Sequence, residues 1–208
     1  GVIPTIAPYI LPDLLSMLAE AYPDLEPRFV EEQTQHLITR LRNGNLDLAI
    51  MALPSEATGM VDSPLYTEKF SIVCPPDHPI AGREDVELAE LKDLDLLLLD
   101  DGHCLRDQVV DLCRHANINP AEATNSVTRA SSLTTIMQLV MGGLGCTLVP
   151  ESALATECHG KDVAIAHFAS GVTAEREVGL VFRSSAARAE EFREFGTLIT
   201  SAYNKAIE

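Results

Sequence analysis

The sequence predicts an α/β fold of two Rossmann-like lobes joined by crossover strands. Strand-period and helix-period segments alternate along the 208 residues. Pro75, Pro76 and Pro79 interrupt that alternation where a change of lobe is expected. A late strand-like run, 177–182, follows the second series and is placed to return to the first lobe, so that two strands cross and form a hinge. The expected lobes are 1–70 with 178–208, and 71–177. Alternating elements imply parallel sheets with helices on both faces.

In order, 2–6 reads as a strand, and Ile10, Leu11, Leu14, Leu15, Leu18 and Tyr22 recur at helical spacing until Pro23 stops them. Residues 27–31 are strand-like. Thr34 is placed to N-cap a helix carrying Leu37, Ile38 and Leu41, which Asn43-Gly44 ends. A strand over 46–53 and a mostly extended stretch over 65–74 complete the first series. The second has a short helix at 86–91, a strand at 94–99, a helix at 104–116 and an extended run at 123–129. Ser131 or Ser132 caps a helix through Val140 that Gly142-Gly143 closes. Strands at 146–149 and 163–168 flank a helical turn at 151–155. The last helix buries Phe192, Phe195, Ile199, Ala202 and Ala206 at spacings of three and four. Ligands in such folds sit where strands end and helices begin, and Thr5, Thr34, Cys104 and Ser131 lie at positions of that kind.

Composition narrows the function. Hydrophobic residues are 46% and charged residues 22%, the balance of an ordinary globular domain. No apolar run approaches the roughly 20 residues of a membrane helix. Residues 1–11 lack the basic region of a secretion signal, so the cytoplasm is the expected compartment. The first residue is not methionine, and the chain is expected to be part of something longer. A net charge of −16 with no basic run argues against direct nucleic-acid contact and favours solubility and repulsion between monomers. Five cysteines in a chain too long to need staples count against a secreted disulfide framework. Cys74 and Cys146 lie in apolar strand-like runs and are expected in the core. Cys158 is expected in an exposed loop.

The most informative segment is Gly102-His103-Cys104-Leu105-Arg106-Asp107-Gln108, with Cys113 nine residues after Cys104. The predicted helix opens at Cys104. Nine helical steps separate the two Cα atoms by roughly 13 Å, whereas a disulfide needs them within about 7 Å. Two thiols that bond only after a local refold make a candidate redox switch. A helix N-terminus lowers a thiol pKa, and so do nearby cations. His103 and Arg106 are the sequence neighbours, with Arg106 acting only through its general field.

Three chemistries compete for this segment. Zinc held by His103, Cys104, Cys113 and His115 has the right donors, but the spacing points them in different directions along a helix. A hydrolase using Cys104 and a histidine lacks an acyl-enzyme signature around the cysteine. Oxidation by a peroxide converts Cys104 to a sulfenic acid, with Cys113 as the resolving thiol.

These residues resemble the sensing segment of the OxyR family, hydrogen-peroxide-responsive transcription regulators of the LysR type. Gly1-Val2-Ile3-Pro4-Thr5-Ile6-Ala7-Pro8-Tyr9 is similar to the start of that family's effector-binding domain. Gln33-Thr34, Arg129-Ala130-Ser131-Ser132-Leu133 and Arg176-Glu177-Val178-Gly179-Leu180-Val181-Phe182-Arg183 fall where the family has its own versions. Residues 157–173 match poorly, and Glu175 and Glu177 flank Arg176 where some members carry a second arginine and a neutral residue.

The resemblance implies a two-lobed, type II periplasmic-binding-protein-like fold, with Cys104 the peroxidatic thiol and Cys113 the resolving one. It implies that Thr5, Thr34, His103 and Arg176 surround the peroxide or the reactive sulfur, and that Asp107 sets the pocket of the reduced form. The hydroxyls of Thr5 and Thr34 can both donate and accept, and rate with so small a ligand must come from orientation and from hydrogen bonds to the departing hydroxide. The alternative for each threonine is a strand-end or capping role.

The sequence is therefore read as the regulatory domain of a peroxide-sensing regulator and not as an enzyme. Its expected partners are hydrogen peroxide, further copies of itself in a dimer or tetramer, and a cellular thiol reductant. DNA is expected only through a winged helix-turn-helix domain outside this chain. No metal and no cofactor are expected. The rivals are a LysR-type domain binding a small anion or metabolite, which leaves the cysteine pair without a purpose, and a thiol peroxidase.

Overall fold

The structure, a computed structural model, describes residues 1–208 except for the side chains of Glu122 and residues 124–128. The chain divides into two units, residues 1–68 with 176–208 and residues 69–175. This puts Arg176 with the first unit, where the sequence reading put it in the second. Strands β2 (Met60–Cys74) and β7 (Glu175–Arg183) carry the chain between them.

In the first unit β1 (Leu48–Leu53) pairs antiparallel with β7, from Leu48 opposite Phe182 to Leu53 opposite Glu177. Ala49, Ile50 and Met51 are successive and all buried, so β1 is covered on both faces and shows no polar alternation. Helix α1 (Ala7–Ala21) buries Ile10, Leu14 and Leu18 and packs on α7 (Ala189–Ala206). On α7 the buried residues include Phe192, Gly196, Ile199, Ala202 and Tyr203, while Phe195 and Ala206, expected inside, are half-buried. Gly196 explains the shift, because a Cβ there would lie 2.7 Å from Leu65 Cδ2 and hold the helix off. Helix α2 (Thr34–Arg42) buries Leu37, Ile38 and Leu41. It stops as predicted, with Gly44 at φ +73° and return bonds from Gly44 N–H to Leu41 O (3.1 Å) and Asn45 N–H to Arg40 O (2.9 Å).

Two predicted strands of this unit do not form. Val2 makes only single bridges, to Glu31 and Ile50, because Ile6 and Ala7 both donate to Ile3 O at 3.0 Å and turn the chain into α1. Of residues 27–31 only Glu31 is bridged.

In the second unit the end of β2 pairs antiparallel with β5 (Thr147–Pro150) and β6 (Ala164–Ala166). Strand β3 (Leu96–Leu99) pairs parallel with β4 (Thr124–Ala130), and a parallel bridge links Leu96 to Cys146. Pairing is thus mixed and not wholly parallel, because β2 and β7 run against β5, β6 and β1. Cys74 and Cys146 are fully buried among Ile72, Val73, Leu97 and Leu148, in the core role read from the sequence. Gly145 lets its neighbour dock there: a Cβ at Gly145 would meet Asp95 O, the atom to which Cys146 N–H donates at 3.0 Å.

Helix α3 (Cys104–His115) follows β3, and the short α4 (Pro120–Ala123) precedes β4. Ser132, and not Ser131, caps α5 (Leu133–Met141), its Oγ accepting from Thr135 N–H at 3.2 Å. The helix expected at 86–91 is a 3-10 helix over Leu88–Asp93, because Val86 is held extended by a bridge to Phe168. Helix α6 (Glu151–Cys158) runs longer than the expected turn. Cys158 is therefore half-buried at a helix end and not in an exposed loop, and burial pushes its thiol up to about 11. Among the described residues no helix is long and apolar enough to cross a membrane.

Candidate functional site

Four residues separate the end of β3 at Leu99 from the start of α3 at Cys104. Asp100 N–H donates to Ala130 O at 2.9 Å, and the turn closes through Gly102 at φ +92°, which a side chain would resist. His103 is the N-cap in extended conformation, but its ring makes no capping bond. Cys104 is thus the first helical residue, half-buried, at the positive end of the helix dipole, which favours a thiolate.

Of the expected cationic neighbours, His103 adds no charge and Arg106 is tied into an ion-pair cluster. His103 is 5% exposed, and burial pulls its pKa below the ordinary value against the pull of Asp100, so the ring is neutral near pH 7. Its Nδ1 is buried with no hydrogen-bond partner among the described residues. Arg106 gives Nε to Asp101 Oδ1 at 2.8 Å and Nη1 to Leu99 O at 3.3 Å. Asp101 also takes Arg129 Nη1 at 2.9 Å, so the Arg106 charge is engaged in a local cluster. Asp107 is exposed on the first turn of α3, and partial desolvation holds its carboxyl above the usual range with Arg106 opposing. Gln108, to which the sequence reading gave no role, has its Oε1 buried and unpartnered among the described residues.

Cys113 lies on the buried face of α3 with Leu105, Val109 and Leu112, and burial pushes its thiol up. Along an intact helix it stands roughly 13 Å from Cys104 and about half a turn around the axis. Neither sulfur is in a disulfide. The end of α3 is closed by Asn117 at φ +57°, with Asn117 N–H donating to Arg114 O and Ile118 N–H to Cys113 O, both at 2.9 Å. The backbone of Cys113 is therefore part of the helix stop. His115, in the zinc set weighed above, is exposed while Cys113 is fully buried, and among the described residues no group of three or more donors is gathered for a metal.

In the first unit the structure brings together Thr5, Arg176 and a residue the sequence reading missed, Glu68. Arg176 donates Nη1–H to Thr5 Oγ1 and Nη2–H to Thr5 O, both at 2.9 Å. It pairs with Glu68 Oε2 through Nε at 2.8 Å and Nη2 at 2.7 Å. Thr5 Oγ1 accepts from the guanidinium, so its own hydrogen points elsewhere and Thr5 is set as a donor. Thr34 does not cap α2: the N-cap is Gln33, and Thr34 Oγ1 is buried without a partner among the described residues. Tyr66 OH is buried and unpartnered too; the ring stacks on Tyr203 at 3.8 Å, and burial pushes the phenol well above its ordinary pKa. Glu68 had a legible signal. It stands in period-two register with Phe70 and Ile72, both buried, and a buried arginine requires an acid.

The His103 environment gives a pH prediction. A histidine whose folded pKa lies below its unfolded value near 6.5 binds its proton more readily in the unfolded chain. Its contribution is fully present above that value and lost as pH falls toward the folded pKa. Urea unfolding between about pH 7.5 and about pH 5 should show a smaller acid-side loss in His103→Gln than in the wild type. Equal losses would return the ring to a solvated setting.

The LysR substrate binding domain model matches residues 1–203. A Mycobacterium avium protein described as a probable hydrogen peroxide-inducible genes activator is 48% identical over 199 residues, 96% of this chain and 63% of the relative. The DNA-binding transcriptional dual regulator OxyR of Escherichia coli K12 is 39% identical over 183 residues, 88% of this chain and 58% of the relative. The chain thus spans about three fifths of these relatives. A hydrogen-peroxide-bound cysteine-to-serine mutant of Corynebacterium glutamicum OxyR superimposes with a TM-score of 0.97 at 60% identity, over 100% of this chain and 64% of that one. The reduced OxyR regulatory domain of Pseudomonas aeruginosa gives 0.82 at 32% identity, over 97% and 93%. The two α/β units and their crossing strands form a type II periplasmic-binding-protein-like fold. The chain belongs to the LysR substrate-binding domain family and is similar over its length to the regulatory domains of OxyR.

Proposed function

We propose that this chain is the hydrogen-peroxide-sensing domain of a transcription regulator, with Cys104 as the peroxidatic thiol and Cys113 as the resolving one. The observation that carries the reading is α3 itself: an intact helix that starts at one cysteine and buries a second roughly 13 Å away, with no disulfide between them. The Cys104 thiolate attacks one peroxide oxygen and expels hydroxide, giving a sulfenic acid. The Cys113 thiol then attacks that sulfur, water leaves and a disulfide forms. Two thiols and one peroxide become one disulfide and two waters.

The family resemblance assigns Thr5, Thr34, His103, Arg176 and Asp107 to the peroxide or its pocket. Their chemistry suits this: Thr5 is a fixed donor, Thr34 carries a buried uncommitted hydroxyl, and His103 is a buried neutral ring. The reaction is stoichiometric signalling, as in a regulator and not a metabolic enzyme. The disulfide alters contacts between copies in a dimer or tetramer and so changes how a DNA-binding domain outside this chain engages its sites. A cytoplasmic thiol reductant resets it.

Mass spectrometry of cysteine state before and after one equivalent of peroxide is the primary test. A Cys104–Cys113 disulfide is expected, and a product that leaves Cys104 reduced sinks the reading. Steady turnover with a thiol reductant would make the chain a peroxidase instead. Thr5→Val and Thr34→Val keep volume and remove the hydroxyls, and each should slow Cys104 oxidation about 10- to 1000-fold in stopped flow. Unchanged rates in both would take the threonines out of the chemistry.

A further inference from the structure

Among the described ion pairs, Arg176–Glu68 alone has both side chains out of water, at 1% and 0% exposure. A buried pair of this kind adds little to stability over apolar residues of the same shape, so fold stability is a weak reason for it. Its geometry suggests another. One edge of the guanidinium is held by Glu68 Oε2 through Nε and Nη2, and the other reaches Thr5 Oγ1 and Thr5 O. We propose that Glu68 is a positioning residue for the peroxide reaction, balancing the charge of Arg176 and fixing its guanidinium as a clamp that holds the Thr5 hydroxyl with its hydrogen turned away from the arginine. The inference rests on the function proposed above.

Two consequences distinguish a clamp from a positive field. With a carboxylate 2.7 Å away, the pair carries no net charge, and its field falls off faster than that of a lone arginine. Arg176 therefore acts through where it holds Thr5 and not through attraction of a thiolate or hydroxide. A lysine would keep the charge but has no planar fork to meet Glu68 and both Thr5 oxygens at once.

The test is a double-mutant cycle in the full chain, read by the rate and pH profile of Cys104 oxidation. Glu68→Gln removes the charge and keeps the shape. Arg176→Lys keeps the ion pair and loses the fork, and it carries the test if Glu68→Gln does not fold. Each should slow oxidation about 10- to 100-fold, the scale of a misplaced reacting group, with the pH midpoint unmoved. Neither should slow it further in a Thr5→Val background, because both act through that hydroxyl. Faster oxidation or a lower midpoint in Glu68→Gln would show an unmasked charge at work and overturn the clamp. So would a wild-type rate in Arg176→Lys, or an undiminished effect on Thr5→Val. A wild-type chain that ignores peroxide sinks the peroxide reading itself; a reactive wild type with variants outside this pattern sinks only the role of Glu68.

Discussion

Cys104→Ser is expected to abolish peroxide oxidation of the chain, leaving no sulfenic acid and no internal disulfide. The serine hydroxyl is a poor nucleophile at neutral pH, and the other four thiols are badly placed to substitute. Burial pushes Cys158 up to about 11 and Cys146 up to about 12, and raises Cys74 and Cys113 as well. A thiol at 11 is ionised in about one molecule in ten thousand at pH 7, which removes its reactivity with peroxide. Cys104 differs by standing at the first position of a helix, at the positive end of its dipole. Cys113→Ser should still form the sulfenic acid at Cys104 but cannot close the disulfide. A dimedone-type label after peroxide treatment separates the cases. Strong labelling of Cys104→Ser at any remaining cysteine would overturn the assignment.

The cysteine segment was legible because its information is local. Helix period, the glycine before it and the spacing of Cys104 and Cys113 all lie within one stretch of chain, and α3 forms with the expected start. The stops at Asn43-Gly44 and Gly142-Gly143 were legible for the same reason, since glycine takes the left-handed turn. What failed was non-local. The opening residues have strand composition, yet Ile3 O takes two donors from the turn into α1 and leaves Val2 with bridges only. Mixed strand direction follows from which strands cross between units, and periodicity carries no direction. His103 and Arg106 read as cations from type alone. Burial neutralises one and Asp101 engages the other, and neither is a property of the segment itself. Glu68 and Arg176 are separated by 108 residues, so only three-dimensional contact joins them.

Hydrogen exchange across residues 104–116 should be strongly redox-dependent, with protection in the reduced chain and its loss after oxidation. The two sulfurs cannot meet while α3 is regular, since roughly 13 Å and half a turn separate positions 104 and 113. Oxidation must therefore unwind the helix, withdraw Cys113 from its buried face and release the return bond from Ile118 N–H to Cys113 O. Leu105, Val109 and Leu112 are buried on the same face, so any of them drawn out with the helix adds to the cost, each worth about 1.5–3 kcal/mol when fully buried. The cost stays within reach of a disulfide because α3 is a modest helix. It has no side-chain N-cap bond, carries β-branched Val109 and Val110 at its centre, and ends on an Asn117 strained at φ +57°. The same cost tunes the reset: each 1.4 kcal/mol spent on unwinding raises the two-electron potential by about 30 mV, so a refold costing about 5 kcal/mol makes the disulfide about 100 mV easier to reduce. Under the proposed function, exposing the unwound segment would change a surface that a second copy can read and so link the thiol chemistry to assembly. Equal protection of 104–116 in both redox states would mean that the disulfide forms without refolding, and the helix would then have no part in the switch.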